Sequence, residues 1–291
     1  MDGFYAHDGN LALAYYGATR LSYYWSLAQS YTLCVNYFCS VLSNTFPNRL
    51  YLSAGTSGGF TDNTINQGQL AYPCILDLLD AAGVTFKCYN INGEYLGSTG
   101  NNAFALFKKY GNDPRVIGYT DTDYLNDLKG GTLPQMSFIM SPDEHAEHPA
   151  YNMESGIGYQ NKFITALQNS SYWASSAYLL TWDEGGGFFD HVPPPQFDAY
   201  GCGIRVPMLV VSPFAKVGHL EPTQYEHGSV LKFIEYVFGL PTLASVNHAF
   251  DTSTPGGPNN QAANGKSKGP PAPPRDGLTT IGNLRECFNG V

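Results

Sequence analysis

The sequence predicts an α/β fold: a three-layer α/β/α sandwich built on a mostly parallel sheet. Two patterns carry this expectation. Strand-length apolar runs alternate with helix-length amphipathic stretches, an order that puts helices on both faces of a sheet. Three of the apolar runs, 136–140 (MSFIM), 177–182 (AYLLTW) and 207–213 (PMLVVSP), also lack the alternation of a half-exposed strand. That is how buried parallel strands read.

In chain order, residues 21–33 (LSYYWSLAQSYTL) have the spacing of an amphipathic helix. RLYLSAG at 49–55 fits either a strand or the end of a helix. ILDLLDAAG at 75–83 predicts a helix stopped by a glycine, and TFKCYNI a strand after it. A second helix–strand pair is expected over 101–140. SGIGYQNKFITALQNS predicts a helix with Ser155 as its N-cap. GSVLKFIEYVFG predicts a helix closed by Gly239, with Pro241 just beyond. From about residue 251 the composition turns to Pro, Gly and Asn, so the expected division is a domain over 1–250 and a linker-like extension over 251–291.

Composition narrows the functional classes. The 291 residues are 43% hydrophobic and 14% aromatic, enough for a sizeable core. A net charge of -9 argues against nucleic acid as a partner, which needs a basic face. It does not exclude a phosphate ester, because a bound cation supplies positive charge locally. No apolar run reaches the roughly 20 residues of a membrane span. MDGFYAHDGN at the start has neither the basic nor the apolar region of a signal peptide. Six scattered cysteines with no CxxC are not a zinc framework, and one or two disulfides stay open.

Four segments carry chemistry. In LLTWDEGGGFFDHVPPP (179–195) an apolar strand delivers Asp183 and Glu184 at its C-terminal end, the edge where α/β sheets bind ligands. Their hard oxygens suit a divalent cation. The three glycines that follow suggest backbone close to a ligand, with Asp190 and His191 shortly after. The bland alternative is an acidic surface turn. A carboxylate pair closing an apolar strand weighs against it, being costly unless paired or metal-bound. In CSVLSNTFPNRLYLSAGTSGG (39–59), Thr45 lies just before Pro47, at an expected helix start. A hydroxyl there can attack phosphorus while backbone N–H groups hold phosphate oxygens, and Arg49 can pair with the phosphate. Read locally, Thr45 or Ser43 is as readily a simple helix cap. SPDEHAEHPA (141–150) puts His145 and His148 after another strand, placed to steady a phosphoryl group or move a proton. In 201–235 the strand and helix read as structural, and His227 is a weaker candidate.

In this order, WDEGGGFFDHVPPP, NTFPNRL, EHP and RVPMLVVSPFAK with its following helix resemble the phosphoesterase family of bacterial and plant non-specific phospholipases C and related acid phosphatases. The resemblance runs from MDGF to at least Pro241. It implies an alkaline-phosphatase-like fold and a metal-dependent hydrolysis of phosphate esters or phospholipids through a covalent phospho-threonine. By match to the motifs, Thr45 would be the nucleophile and a metal ligand, and Asp183 and Glu184 further ligands of one divalent metal ion. His148 would contact the phosphoryl oxygens or the leaving group. Asn48 and Arg49 of the same segment would bind substrate together with Asp190, His191 would be a further catalytic residue, and Asp190 and His191 would also support the metal loop. The family usually opens with a strand ending in Glu-Asn. Here the chain begins at MDGF, so two expected ligands and a further histidine are missing, and relatives often place His or Asn at position 185. The competing expectation is therefore an inactive truncated chain that at most binds phosphate-containing ligands. A sugar-binding module is weaker, since it leaves the WDE and NTFPNR segments without a purpose. The resemblance also implies that the parent protein is secreted or periplasmic.

Overall fold

The computed structural model describes residues 3–90, 101–246 and 272–290. In chain order the elements are α1 (Gly3–Asp8), α2 (Ser22–Ser30), β1 (Thr32–Cys34), β2 (Tyr37–Phe38), α3 (Thr45–Ala54), α4 (Ile75–Ala81), β3 (Phe86–Asn90), α5 (Pro114–Ile117) and α6 (Asp121–Gly130). There follow β4 (Met136–Met140), α7 (Met153–Gln168), β5 (Tyr178–Thr181), β6 (Met208–Val211), β7 (His219–Glu221), β8 (Tyr225–Glu226), α8 (His227–Phe238) and α9 (Leu243–Val246). The chain divides into two units. One is Met1–Leu42 with Glu144–Glu226 and Thr280–Val291, and the other is Ser43–Asp143 with His227–Thr279.

The first unit is organised on a four-stranded sheet in the order β5-β6-β1-β7. β6 is its core: Met208, Leu209, Val210 and Val211 are all buried. Tyr24 and Leu27 of α2 and Ile164 of α7 pack with Leu180, Leu209 and Val211 into one cluster. Burying each aliphatic side chain of this kind contributes roughly 2 kcal/mol. The helix expected over 21–33 stops at Ser30, and Thr32–Cys34 become β1 instead. That strand pairs with both β6 and β7, so ladder hydrogen bonds override the local helical spacing. β2 and β8 form a separate parallel pair. The long helix α7 begins two residues before Ser155. Its N-cap is Asn152, whose side chain accepts the Glu154 N–H, while Ser155 Oγ lies 2.6 Å from His145 Nδ1.

One expectation about direction is corrected. β4 is parallel to β3, as expected, but β5 and β6 are antiparallel neighbours, with Tyr178 opposite Val211 and Thr181 opposite Met208. An apolar run without alternation does not report direction: β6 is buried throughout and runs antiparallel to β5. Among the described residues three of five strand pairings are parallel.

In the second unit, α3 packs on α8 through apolar faces that include Leu50, Tyr51, Val230, Leu231 and Ile234. RLYLSAG is the end of helix α3, closed by Gly55 at φ 71°. A side chain at Gly55 would be strained by that φ, and its Cβ would sit 2.9 Å from both Pro274 Cβ and Asp276 Oδ1. β3 and β4 pair in register from Phe86–Met136 to Asn90–Met140.

The described end of the chain is packed, against the expectation of a linker-like extension over 251–291; residues 247–271 lie outside the described residues. In the second unit Arg275 is 1% exposed, with its guanidinium 4.3 Å from the centre of the Tyr51 ring. In the first unit Leu284 and Cys287 are fully buried, and Thr32 Oγ1 donates to the Cys287 carbonyl at 3.0 Å. All six cysteines are free, buried thiols, with Cys34 Sγ and Cys287 Sγ 3.5 Å apart.

Glu235 of α8 and Asp276 form a buried acid pair. Leu243 N–H donates to Glu235 at 3.2 Å and Ala244 N–H to Asp276 at 3.1 Å. Burial pushes the Glu235 carboxyl up and Asp276 pushes it further, while burial raises Asp276 as well. The folded protein thus keeps a proton that the unfolded chain gives up above the ordinary carboxyl range. Stability from this pair is greatest at acid pH and declines as pH rises through neutrality. Denaturant titrations from pH 5 to 9 should show that decline in the wild type and a flatter profile in Glu235→Gln. Equal slopes would remove the pair as its source.

Candidate active site

β5 ends at Thr181, and Asp183 and Glu184 follow Trp182 in a bend beyond the strand, both half-buried. Their charge lies near the buried Cys39 thiol. Burial raises that thiol first, and Glu184 and Asp183 raise it further. Glu184 Oε2 accepts the Gly186 N–H in a short hydrogen bond, and Glu184 Oε1 lies 3.6 Å from His148 Nε2. The other ring nitrogen, His148 Nδ1, bonds the Pro149 carbonyl at 3.0 Å. His148 is 54% exposed and open to a ligand.

The glycines after the pair have a packing reason that the sequence does not reveal. A Cβ on Gly185 would stand 2.2 Å from Ile204 Cδ1, so Ile204 fills the space a side chain there would need. Gly186 has φ 61°, and its Cβ would be 2.9 Å from Pro149 Cδ. Packing against Ile204 and Pro149 accounts for Gly185 and Gly186, and Gly187 has φ 82°.

Asp190 is a structural partner. Arg205 grips it with Nε at 2.7 Å and Nη2 at 2.9 Å. Burial alone would raise the Asp190 carboxyl, but the Arg205 hydrogen bonds and charge outweigh it and hold it below the usual range. Both carboxylate oxygens face Arg205, so Asp190 braces the loop. His191 is 81% exposed, with Nδ1 3.6 Å from Asp190 Oδ1. His145 stacks on Tyr159 with ring centres 5.0 Å apart, in the manner of a packing residue.

In the second unit Thr45 is the first residue of α3, and the N-cap is Asn44, without a side-chain cap hydrogen bond. Ser43 Oγ donates to the Thr61 carbonyl at 2.5 Å. Neither hydroxyl named as a simple cap has that position. Among the described residues the Thr45 hydroxyl is half-buried at the positive end of a ten-residue helix. Arg49, one turn along the same helix, donates to the Asn101 carbonyl in a short bond. Asn48 is corrected as a substrate-binding residue. It is fully buried, and its amide nitrogen donates to the Ser43 and Asn44 carbonyls, each at 3.1 Å, so it holds the turn that leads into Thr45. His227 opens α8 and is 1% exposed.

Two residues that shape these loops escaped the sequence reading. Arg205 stands inside the RVP segment with nothing local to mark its pairing with Asp190. Glu147 sits between Tyr24, Trp182 and the backbone of α7. It accepts a short hydrogen bond from Tyr24 Oη and one of 3.0 Å from Trp182 Nε1. Burial pushes its carboxyl up to about 7, with the Tyr24 and Trp182 hydrogen bonds acting in the opposite direction. Its partners are 123 and 35 residues away, and a single sequence carries no signal for them.

The model of the Phosphoesterase family matches residues 1–241. The chain belongs to this family. Among its relatives, the non-hemolytic phospholipase C of Burkholderia pseudomallei is 32% identical over 301 residues, covering 81% of this chain and 43% of the relative. Non-specific phospholipase C4 of Arabidopsis thaliana is 28% identical, covering 77% of this chain and 47% of the relative. The chain thus spans less than half the length of these two phospholipases. Among solved structures, the lipoteichoic acid synthase LtaP of Listeria monocytogenes superposes with a TM-score of 0.50 at 13% identity, over 77% of this chain and 67% of that one. This likeness bears on the fold alone, and the α/β class expected from the sequence holds.

For a phosphoesterase of this family a divalent cation is the implied cofactor. Asp183 and Glu184 fit one by donor type, since both offer hard oxygens beside a ligand-accessible strand end. Among the described residues no three His, Cys, Asp or Glu side chains group closely enough to hold a metal. The pair would therefore supply part of a coordination shell. Arg205→Ala should leave Asp190 charged, half-buried and unpaired. Its expected cost is about 2 kcal/mol in denaturant unfolding. A loss under about 0.5 kcal/mol would place the ion pair among those that contribute little.

Proposed function

We propose that this phosphoesterase-family chain hydrolyses phosphate esters, of the phospholipase C diester type or as monoesters, by covalent transfer to Thr45. The observation that carries the reading is the position of Thr45. It is the first residue of α3 and not its cap, with its hydroxyl at a helix N-terminus where backbone dipoles favour phosphate. The names of its relatives as phospholipases C and the match of its motifs support the same chemistry.

In this reading the Thr45 oxygen attacks phosphorus and gives up its proton to solvent. An O–P bond forms to Thr45 as the O–P bond to the alcohol breaks. His148 donates a proton to the departing alcohol oxygen. Water then attacks the phospho-threonine, restores the hydroxyl and releases the phosphate product. A divalent cation held by Asp183 and Glu184 would supply positive charge to the phosphoryl oxygens. Asn48 fixes the turn before Thr45, and the Arg205–Asp190 pair fixes the loop after the carboxylates.

Hydrolysis of p-nitrophenyl phosphate and p-nitrophenyl phosphorylcholine by the 291-residue chain, with added divalent ions, tests this. Turnover is expected, lost in Thr45→Ala while the variant stays folded. Full turnover in Thr45→Ala would remove it from the mechanism. The faster of the two substrates separates monoester from diester chemistry. Asp183→Asn should lower bound metal as measured by calorimetry, and unchanged binding would reject it as a ligand. The alternative, a chain that binds phosphate groups without turnover, predicts phosphate binding but no product with any added ion.

A further inference from the structure

We propose that Glu147 is the positioning residue for His148, anchoring the turn 147–150 to the end of β5 so that the imidazole is held beside Glu184. The catalytic consequence rests on the phosphoryl-transfer reading; the anchoring itself does not.

One carboxylate joins three elements. Its Oε1 accepts from Tyr24 of α2, and its Oε2 accepts from Trp182, the residue immediately before Asp183. Its stem lies in a notch on α7 left by Gly156, where any Cβ would stand 2.1 Å from Glu147 Cγ. The rings of its two donors also meet edge to face, with centres 5.2 Å apart. Tyr24 and Trp182 both present hydrogens, and the two carboxylate oxygens accept one each.

The backbone around it is strained in a way such an anchor would sustain. Glu147 has φ 60° and Ala150 φ 83°, both in the left-handed region that residues with a Cβ avoid. Conformations of this kind persist where surrounding contacts over-determine them, and they gather at functional sites. These two residues bracket His148 and Pro149. Pro149 rests on Gly186, the Tyr151 N–H closes the turn on the His148 carbonyl at 2.9 Å, and His148 Nε2 reaches toward Glu184. With Glu147 fixed to Trp182, the histidine turn and the carboxylate loop share one anchor point. A carboxyl pushed up by burial fits the site too, because a neutral acid is cheaper to keep among aromatic rings.

The test uses Glu147→Ala, which removes both acceptors, and Glu147→Gln, which keeps the shape, one acceptor for Trp182 and a donor for the Tyr24 oxygen. Two readouts are taken, steady-state kinetics and hydrogen exchange at the Tyr151 amide. In Glu147→Ala, kcat should fall at least about ten-fold with KM within about three-fold, as for a misplaced catalytic group. Protection of the Tyr151 amide should fall at least about ten-fold while amides of β6 keep theirs. Glu147→Gln should stay within about three-fold of the wild type in both readouts. Wild-type protection in Glu147→Ala would overturn the anchoring, and lost protection with unchanged kcat would overturn the positioning. If the wild type turns over no ester while Glu147→Ala still loses protection, the phosphoryl-transfer reading fails and the anchor stands. Tyr24→Phe removes one donor without opening a cavity and takes the place of Glu147→Ala if that variant does not fold. It should weaken Tyr151 protection a few-fold, and no change would count against the anchor.

Discussion

An ionised carboxylate away from water must be paired or hydrogen-bonded, and the loops at the strand ends of this protein depend on that constraint. Only 13% of its residues are charged, so each buried acid is a local organiser and not one of many surface charges. Asp190 holds Arg205. Asp127 gathers Lys87, Tyr89 and Thr132 at 2.7, 2.7 and 2.6 Å across β3 and α6. Glu221 of β7 takes His219 at 2.9 Å and Thr223 at 2.7 Å. Glu147 follows the same rule with neutral donors, and burial moves it toward neutrality. Two of these acids stand in the segments that carry the candidate chemistry, so loop shape there is set by charge satisfaction more than by apolar packing.

Much of the fold was legible because apolar runs and glycine stops are local signals. The helices α4 and α8 and the strands β3 to β6 all follow from them. What stayed hidden is non-local. β1, β2, β7 and β8 are two or three residues long, too short to show a period, and they exist because distant strands complete their ladders. Strand direction is equally invisible, as β5 and β6 show. Ser155 looked like a cap because its side chain suits one, but Asn152 begins the helix earlier and Ser155 bonds His145 instead.

The candidate site divides in the same way. Asp183, Glu184, Thr45 and His148 were readable as residue types at strand ends and a helix start. Asn48, Asp190 and Glu147 differ because their meaning lies in their partners. Asn48 and Asp190 resembled ligand-binding residues in sequence, and their hydrogen bonds make them supports. The three glycines teach the same lesson: the motif invites a ligand, while Ile204 and Pro149 supply a sufficient reason for two of them.

The composition of the first unit from three separate stretches has a consequence for how the protein is made. β1 has no ladder partner until β6 and β7, more than 170 residues later, have been synthesised, and Thr32 waits longer still for the carbonyl of Cys287. Contacts of such sequence separation are slow to close and leave apolar strands uncovered in the meantime. On a ribosome, the segment around β1 would emerge early and remain a client for chaperones until nearly the whole chain is out. Synthesis that stopped short of Thr280 would leave this unit without its closing segment, while the second unit would already have every residue it needs.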